Sequence, residues 1–229
     1  MAVAAGFFVT GTGTEVGKTV VAAVLANDLR RRGASVAVFK PAVTGLDDPG
    51  ETDHALLRRA AQSEQSDEEI APYRYGPPAS PHLAAAQADD EIDPERLRSA
   101  ARIAAAAADV LVCEGVGGLM VPLTWRVVPA MREEGTSYLV RDLAVDLGLP
   151  LVVAASPGLG TINHTLLTVK AARTAGLTIA AVVLTPWPDA PSAIERSNRE
   201  TIESLGAVRT MTLPPLDLAA PESWPSLEL

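Results

Sequence analysis

Residues 6–19 read GFFVTGTGTEVGKT, and this stretch decides the fold. Its first part, Gly6–Val9, is a short apolar run of the kind that forms a strand. The second part, Thr10-Gly11-Thr12-Gly13-Thr14-Glu15-Val16-Gly17-Lys18-Thr19, is rich in glycine and ends in Gly-Lys-Thr. Beyond it, Lys18–Arg31 carries apolar residues at Val21, Val24, Leu25 and Leu29, a helical spacing, and Gly33 closes that helix. A strand, a glycine-rich turn and a helix in this order make a phosphate-binding loop. Glycines let successive N–H groups face anionic oxygens, and the helix N-terminus adds its dipole. Lys18 then reaches the β- and γ-phosphates, and the Thr19 hydroxyl is a ligand for Mg2+. The spacing departs from the common pattern: counting back from Gly17, Thr12 holds the first glycine position and Gly11 lies one residue earlier. The Gly11-x-Gly13 pair also hints at a dinucleotide fingerprint, but Gly-Lys-Thr explains the loop better.

Outward from this loop, apolar runs alternate with helical stretches. Val36–Phe39, Asp109–Cys113, Leu151–Ala155, Thr178–Leu184 and Val208–Leu213 read as further strands. Asp53–Ala61, Pro94 to about Ala108, Ile162–Ala175 and Ser192–Leu205 read as helices, with Asp93 as a cap. The strands are continuously apolar, as strands covered on both faces are. The expected architecture is therefore α/β: a doubly wound, mostly parallel sheet with helices on both faces. Pro72–Pro81 reads as irregular, Gly115–Gly118 as a loop, and Trp125–Gly135 fits no element. One domain is expected over residues 1–229, with a proline-rich tail from Pro214 whose last part, about 217–229, is irregular.

Composition narrows the function. The 229 residues carry 19 basic and 28 acidic side chains, a formal net charge of -9, and 48% are hydrophobic, so the chain is globular rather than disordered. A pI near 4.8 argues against holding nucleic acid by bulk charge, and 4% aromatics give no base-stacking platform. Cys113 is the only cysteine, which excludes an internal disulfide and suits a reducing compartment. The N-terminal apolar run lacks a basic start, and Arg102 and Asp109 bracket the greasy Ala104–Ala108, so neither a leader nor a membrane span is expected. These features point to a cytoplasmic protein.

In doubly wound sheets, ligands sit beyond the carboxyl ends of the strands. Lys40 and Thr44 follow the second strand, where a further cation would meet anionic charge. Glu114 ends the Asp109–Cys113 strand, where a Mg2+-binding carboxylate belongs. Asp53, read alone, is more simply a helix cap. Gly158–His164 leads from a strand into a helix, whose free N–H groups suit a carboxylate. His164 reads as structural, Cys113 as a buried strand residue, and Trp187-Pro188-Asp189 equally as a base contact or a cap.

Together these residues resemble the dethiobiotin synthetases. The shared segments are GTGTEVGKT (Gly11–Thr19), KPAVTG (Lys40–Gly45), TDHALL (Thr52–Leu57), PHLAA (Pro81–Ala85), VCEGVGGLMVPL (Val112–Leu123) and GTINHTLLT (Gly160–Thr168), in the family's order over roughly residues 6–216. The resemblance implies a P-loop homodimer with active sites at the subunit interface. It would convert 7,8-diaminopelargonate (7,8-diaminononanoate), CO2 and ATP into dethiobiotin, ADP and phosphate through a carbamate and a carbamic–phosphoric anhydride. It also implies roles. Gly13, Thr14, Glu15, Val16, Gly17, Lys18 and Thr19 hold the nucleotide, together with Glu114, Thr185 and Pro186. Lys18, Lys40 and Thr44 serve the reaction, while Thr19, Asp53 and Glu114 bind Mg2+. Thr12, Lys40, Thr44, Gly117 and Gly118 contact the diamine or its carbamate. Gly160, Thr161, Ile162 and Asn163 receive the substrate carboxylate of the partner subunit, and Asn198 is a further candidate for the same side.

The chain departs from the family in three places. Val116 replaces a common alanine, and Trp125–Gly135 resembles an insertion that would form a lid or a dimer contact. Thr185-Pro186-Trp187-Pro188 stands where many relatives carry an adenine-reading asparagine, so the resemblance supplies no base-reading amide. A partitioning-type ATPase switch is the alternative from another class. Such proteins usually carry a second lysine early in the loop, where this chain has Gly13, and no basic or amphipathic terminal helix is evident. A cobyrinate-type amide-forming synthase would need a further glutaminase domain, for which the chain is short.

Overall fold

Six parallel strands in the order β2-β3-β1-β6-β7-β8 form the central sheet. The computed structural model describes residues 5–126 and 136–229. The chain begins with β1 (Gly6–Gly11), α1 (Lys18–Arg31), β2 (Val36–Phe39), α2 (Asp53–Ala61), α3 (Asp67–Ile70), α4 (Pro81–Gln87) and α5 (Pro94–Ala106). It continues through β3 (Val110–Gly118), β4 (Pro122–Arg126), β5 (Thr136–Leu139), α6 (Val140–Leu147) and β6 (Leu151–Ala155). The last elements are α7 (Thr161–Thr174), β7 (Ile179–Leu184), α8 (Ala193–Gly206) and β8 (Thr210–Thr212).

Each strand feeds both faces of the sheet because successive side chains point to opposite sides. Phe8, Phe39 and Cys113 pack with Leu97 of α5 and Leu143 of α6 on one face. Their neighbours Val9, Val38 and Val112 pack with Val24 of α1 and Leu57 of α2 on the other. Double burial is the physical reason for the continuous apolar runs. The caps match the sequence signals: the Asp93 carboxylate accepts the Glu95 N–H at 2.9 Å, and Gly33 follows α1 with φ of 95°.

The short helices α3, α4 and α6 add to those expected, and three further features are notable against the expectations. β3 does not stop at Cys113; it runs through the predicted loop Gly115–Gly118, and Gly118 pairs with Gly11 after a register shift. Glycine disfavours strands by propensity, but here the small residues permit close packing. A Cβ on Gly115 would lie 2.9 Å from the Phe8 ring, and one on Gly118 would lie 3.2 Å from the Gly11 carbonyl. An antiparallel hairpin, β4 with β5, was not foreseen; Trp125 belongs to β4 and is exposed. The rest of the proposed insertion, residues 127–135, lies outside the described residues. The C-terminal stretch has only one 3-10 turn, Pro221–Ser223, yet it is anchored. Trp224 is 2% exposed, Leu227 is buried, and the Pro221 carbonyl accepts the Asn27 side-chain amide of α1 at 2.8 Å.

Candidate active site

The carboxyl ends of β1, β2 and β3 meet the head of α1, and a cavity of about 720 Å3 opens there. The loop from β1 to α1 is tied to the sheet by the Thr12 N–H, which donates to the Ala154 carbonyl at 3.0 Å. Gly17, the N-cap of α1, has φ of 84°, a left-handed conformation that favours glycine. Glu15 also has a positive φ, 60°, which is uncommon for a residue with a side chain. No side chain caps α1 and no acidic residue lies in its first turn, so its N–H donors and dipole face the cavity unopposed. Lys18 is largely buried, and its Nζ donates to the Gly13 carbonyl at 2.7 Å, closing the loop on itself.

Lys40, from the end of β2, lies deeper. Its Nζ is 2.6 Å from Glu114 Oε1 and 2.7 Å from Asp53 Oδ2. The Thr19 hydroxyl lies 2.9 Å from the same Glu114 oxygen and 3.0 Å from Asp53 Oδ1. Asp53, at the first position of α2, is thus drawn into the site by the path of the chain rather than serving only its helix.

The charges respond to this crowding. Burial pulls Lys18 below its ordinary value, with Lys40 adding to the pull and Glu114 and Asp53 opposing it. Burial also acts on Lys40, but the charges of Glu114 and Asp53 outweigh it and hold Lys40 above its ordinary value. Asp53 resists its own burial because Lys40 and Thr19 favour its charged form, so its carboxyl titrates low. Glu114 is fully buried, and burial together with the Asp53 charge pushes it up despite Lys40. Burial likewise pushes the Cys113 thiol up, in keeping with an inert strand residue.

The donor set fits a hard divalent cation. It offers a hydroxyl and two carboxylates, all oxygen ligands, and Glu114 Oε2 is buried without a hydrogen-bond partner. Among the described residues, no cluster of three or more His, Cys, Asp or Glu could hold a metal unaided. Mg2+ takes one or two carboxylates and completes its shell with phosphate oxygens and water, a demand that Asp53, Glu114 and Thr19 match.

Of the residues singled out by sequence, Thr14, Glu15, Gly17, Lys18, Thr19, Lys40, Thr44, Asp53, Glu114 and Gly117 line the cavity. Thr12, Gly13 and Val16 of the β1–α1 loop and Gly118 at the end of β3 support the cavity but do not line it. Thr185 is buried at the end of β7, against the back of Gly17, with Pro186 exposed beside it. Gly160, Thr161, Ile162 and Asn163 lie beyond β6 at the head of α7, outside this cavity. His164 is exposed on α7. Asn198, the candidate for the partner's substrate, is buried and donates to the Pro157 and Gly158 carbonyls at 2.9 and 3.0 Å, fixing the loop before α7. Sequence reasoning missed the Pro78–Pro81 wall and Asp48, which also line the cavity. The PPASP run of residues 77–81 was the signal for the wall, and Asp48 had none beyond its polar character.

Comparison with known proteins adds the chemistry. Residues 5–223 match the family described as an AAA domain. The ATP-dependent dethiobiotin synthetase BioD of Bacillus subtilis subsp. natto is 36% identical over 211 residues, covering 92% of this chain and 87% of that protein. The protein of the same name from Anaeromyxobacter dehalogenans is 44% identical over 180 residues, covering 78% and 75%. Among solved structures, a ParA family ATPase from Chlorobium tepidum TLS superposes with a TM-score of 0.51 at 16% identity, over 96% of this chain and 88% of that one. That likeness establishes a shared fold and nothing about partners. The chain belongs to the ATP-dependent dethiobiotin synthetase family.

Proposed function

We propose that this chain is an ATP- and Mg2+-dependent dethiobiotin synthetase of biotin synthesis, a ligase that works as one domain. It carboxylates 7,8-diaminopelargonate with CO2 and closes the ring, yielding dethiobiotin, ADP and phosphate. The observation that carries this reading is the convergence of Lys18, Lys40, Thr19, Asp53 and Glu114 in one cavity beside the phosphate loop. The relatives of that name support the substrate.

In this reading one amine takes up CO2 as a carbamate and loses a proton. A carbamate oxygen attacks the γ-phosphorus and ADP leaves. The second amine attacks the carbonyl carbon of the resulting carbamic–phosphoric anhydride, phosphate departs, and the ureido ring closes. Both partners of the phosphoryl step are anions, so the protein's task is to align them and offset their charge. Backbone N–H groups from Gly13 to Lys18 hold the phosphates. Lys18 reaches the β- and γ-phosphates, while Lys40 and Thr44 receive the carbamate. Thr12, Gly117 and Gly118 bound the diamine. Thr19, Asp53 and Glu114 hold Mg2+, which when bound supplies positive charge to the phosphate oxygens. Thr185 and Pro186 lie toward the base.

A second copy completes the site. Gly160, Thr161, Ile162 and Asn163 take the substrate carboxylate of the neighbouring subunit. Their position outside their own chain's cavity supports this, as does the exposed apolar surface of the same segment: Leu159 is 95% exposed and Leu167, on α7, 59%. A cytoplasmic setting agrees with the single buried cysteine. Among the described residues, no helix is long and apolar enough to cross a membrane. Incorporation of labelled CO2 into an acid-stable product tests the activity, and sedimentation tests the homodimer.

A further inference from the structure

Lys40 already occupies two of the four carboxylate oxygens that a metal would draw on. Its Nζ sits 2.6 Å from Glu114 Oε1 and 2.7 Å from Asp53 Oδ2, and it is itself 3% exposed. Thr19 engages Glu114 Oε1 and Asp53 Oδ1, so of the two carboxylates Glu114 Oε2 is the oxygen left buried without a partner. We propose that Lys40 is the built-in counter-ion of Asp53 and Glu114, that it and a divalent cation exclude one another, and that the nucleotide-borne cation releases it toward the reacting anions. The inference rests on the metal assignment of the proposed function and deepens it.

Space and charge both oppose joint occupancy. Mg2+ binds oxygens at roughly 2.0–2.1 Å in a strict octahedral shell. An ammonium held on these carboxylates would stand next to that ion, and like charges this close repel, most strongly beside the buried Glu114 and less at Asp53, whose side chain is 45% exposed. The two carboxylates bring two negative charges, of which Lys40 offsets one. Adding a dication without removing the ammonium leaves excess positive charge under the phosphate loop, beside the buried Lys18 ammonium. The phosphates of a nucleotide reverse that balance. Metal and nucleotide therefore enter together, and the flexible stem of Lys40 turns its charge into the cavity that it already lines. The cation for an anionic substrate thus becomes available only when the phosphoryl donor is in place.

Binding of Mn2+, used as the probe for Mg2+, tests this without turnover. Free Mn2+ is counted by electron paramagnetic resonance as it is titrated into nucleotide-free protein. Lys40→Met should bind Mn2+ at least tenfold more tightly than the wild type, and a non-hydrolysable ATP analogue should close that gap. A Lys40→Met curve that coincides with the wild type overturns the proposal. A second measurement needs no variant: the side-chain 15N resonance of the Lys40 ammonium should be unmoved by Mg2+ alone and should shift on adding Mg2+ with the analogue. A resonance unmoved by both also overturns it. The labelled-CO2 assay on the same preparation separates the two claims: protein that makes no dethiobiotin, while Lys40→Met gains Mn2+ affinity, has another substrate and the same counter-ion.

Discussion

The methyl group of Thr185 stands behind Gly17, so that a Cβ at position 17 would lie 2.5 Å from Thr185 Cγ2. The residue that follows β7 and the phosphate loop are thus fitted to each other. Gly17 also has φ of 84°, so two separate penalties await any side chain there. Gly17→Ala is predicted to cost about 1–3 kcal/mol of stability through backbone strain and contact, and to weaken nucleotide binding. Adding Thr185→Ser removes the methyl but not the strain. The double variant should recover part of the loss in urea denaturation; no recovery would show that contact with Thr185 is not what limits position 17.

Lys40→Ala should lower turnover by roughly 100- to 1,000-fold, the range for losing one preorganised charge at a reacting centre. ATP affinity measured by calorimetry should change little, because Lys40 leaves from β2 rather than from the phosphate loop. Collapse of ATP affinity with normal turnover at saturation would refute its role.

Glu114→Gln keeps the shape of the side chain and removes its charge. Activity should then need at least tenfold more Mg2+ for half-maximal rate, since a neutral amide is a poor ligand for a hard cation. An unchanged Mg2+ titration would reject Glu114 as a ligand.

Much of this site was legible because strand ends carry it. Lys40 and Glu114 each follow an apolar run, Lys18 and Thr19 close the glycine-rich loop after another, and the rule for parallel sheets points to all four. Asp53 was not legible in that way. It opens α2, and only the chain path brings its carboxylate to Lys40. The continuation of β3 through Gly115–Gly118 was hidden because glycine usually marks turns, whereas here it allows close approach of β1. The Pro78–Pro81 wall bears no titratable group, so a search for chemistry passed over it. Asn198 was noticed but misdirected, because its partners are backbone carbonyls that no side-chain pattern announces.

The C-terminal stretch is predicted to matter for stability despite its irregular backbone. Trp224 is 2% exposed, packs against the α1 side of the sheet, and donates its indole N–H to the Asp217 carbonyl at 2.8 Å. Trp224→Ala should cost about 3–5 kcal/mol in urea denaturation, as for other buried aromatic side chains. A loss below about 1 kcal/mol would mean that the tail is detached in solution.

The central claim is the reaction itself, and one measurement addresses it most directly. Purified protein is supplied with 7,8-diaminopelargonate, ATP, Mg2+ and 14C-labelled CO2. The account predicts ATP-dependent transfer of label into an acid-stable product that co-migrates with dethiobiotin, with one ADP formed per product. Folded, Mg2+-supplied protein that incorporates no label would contradict it.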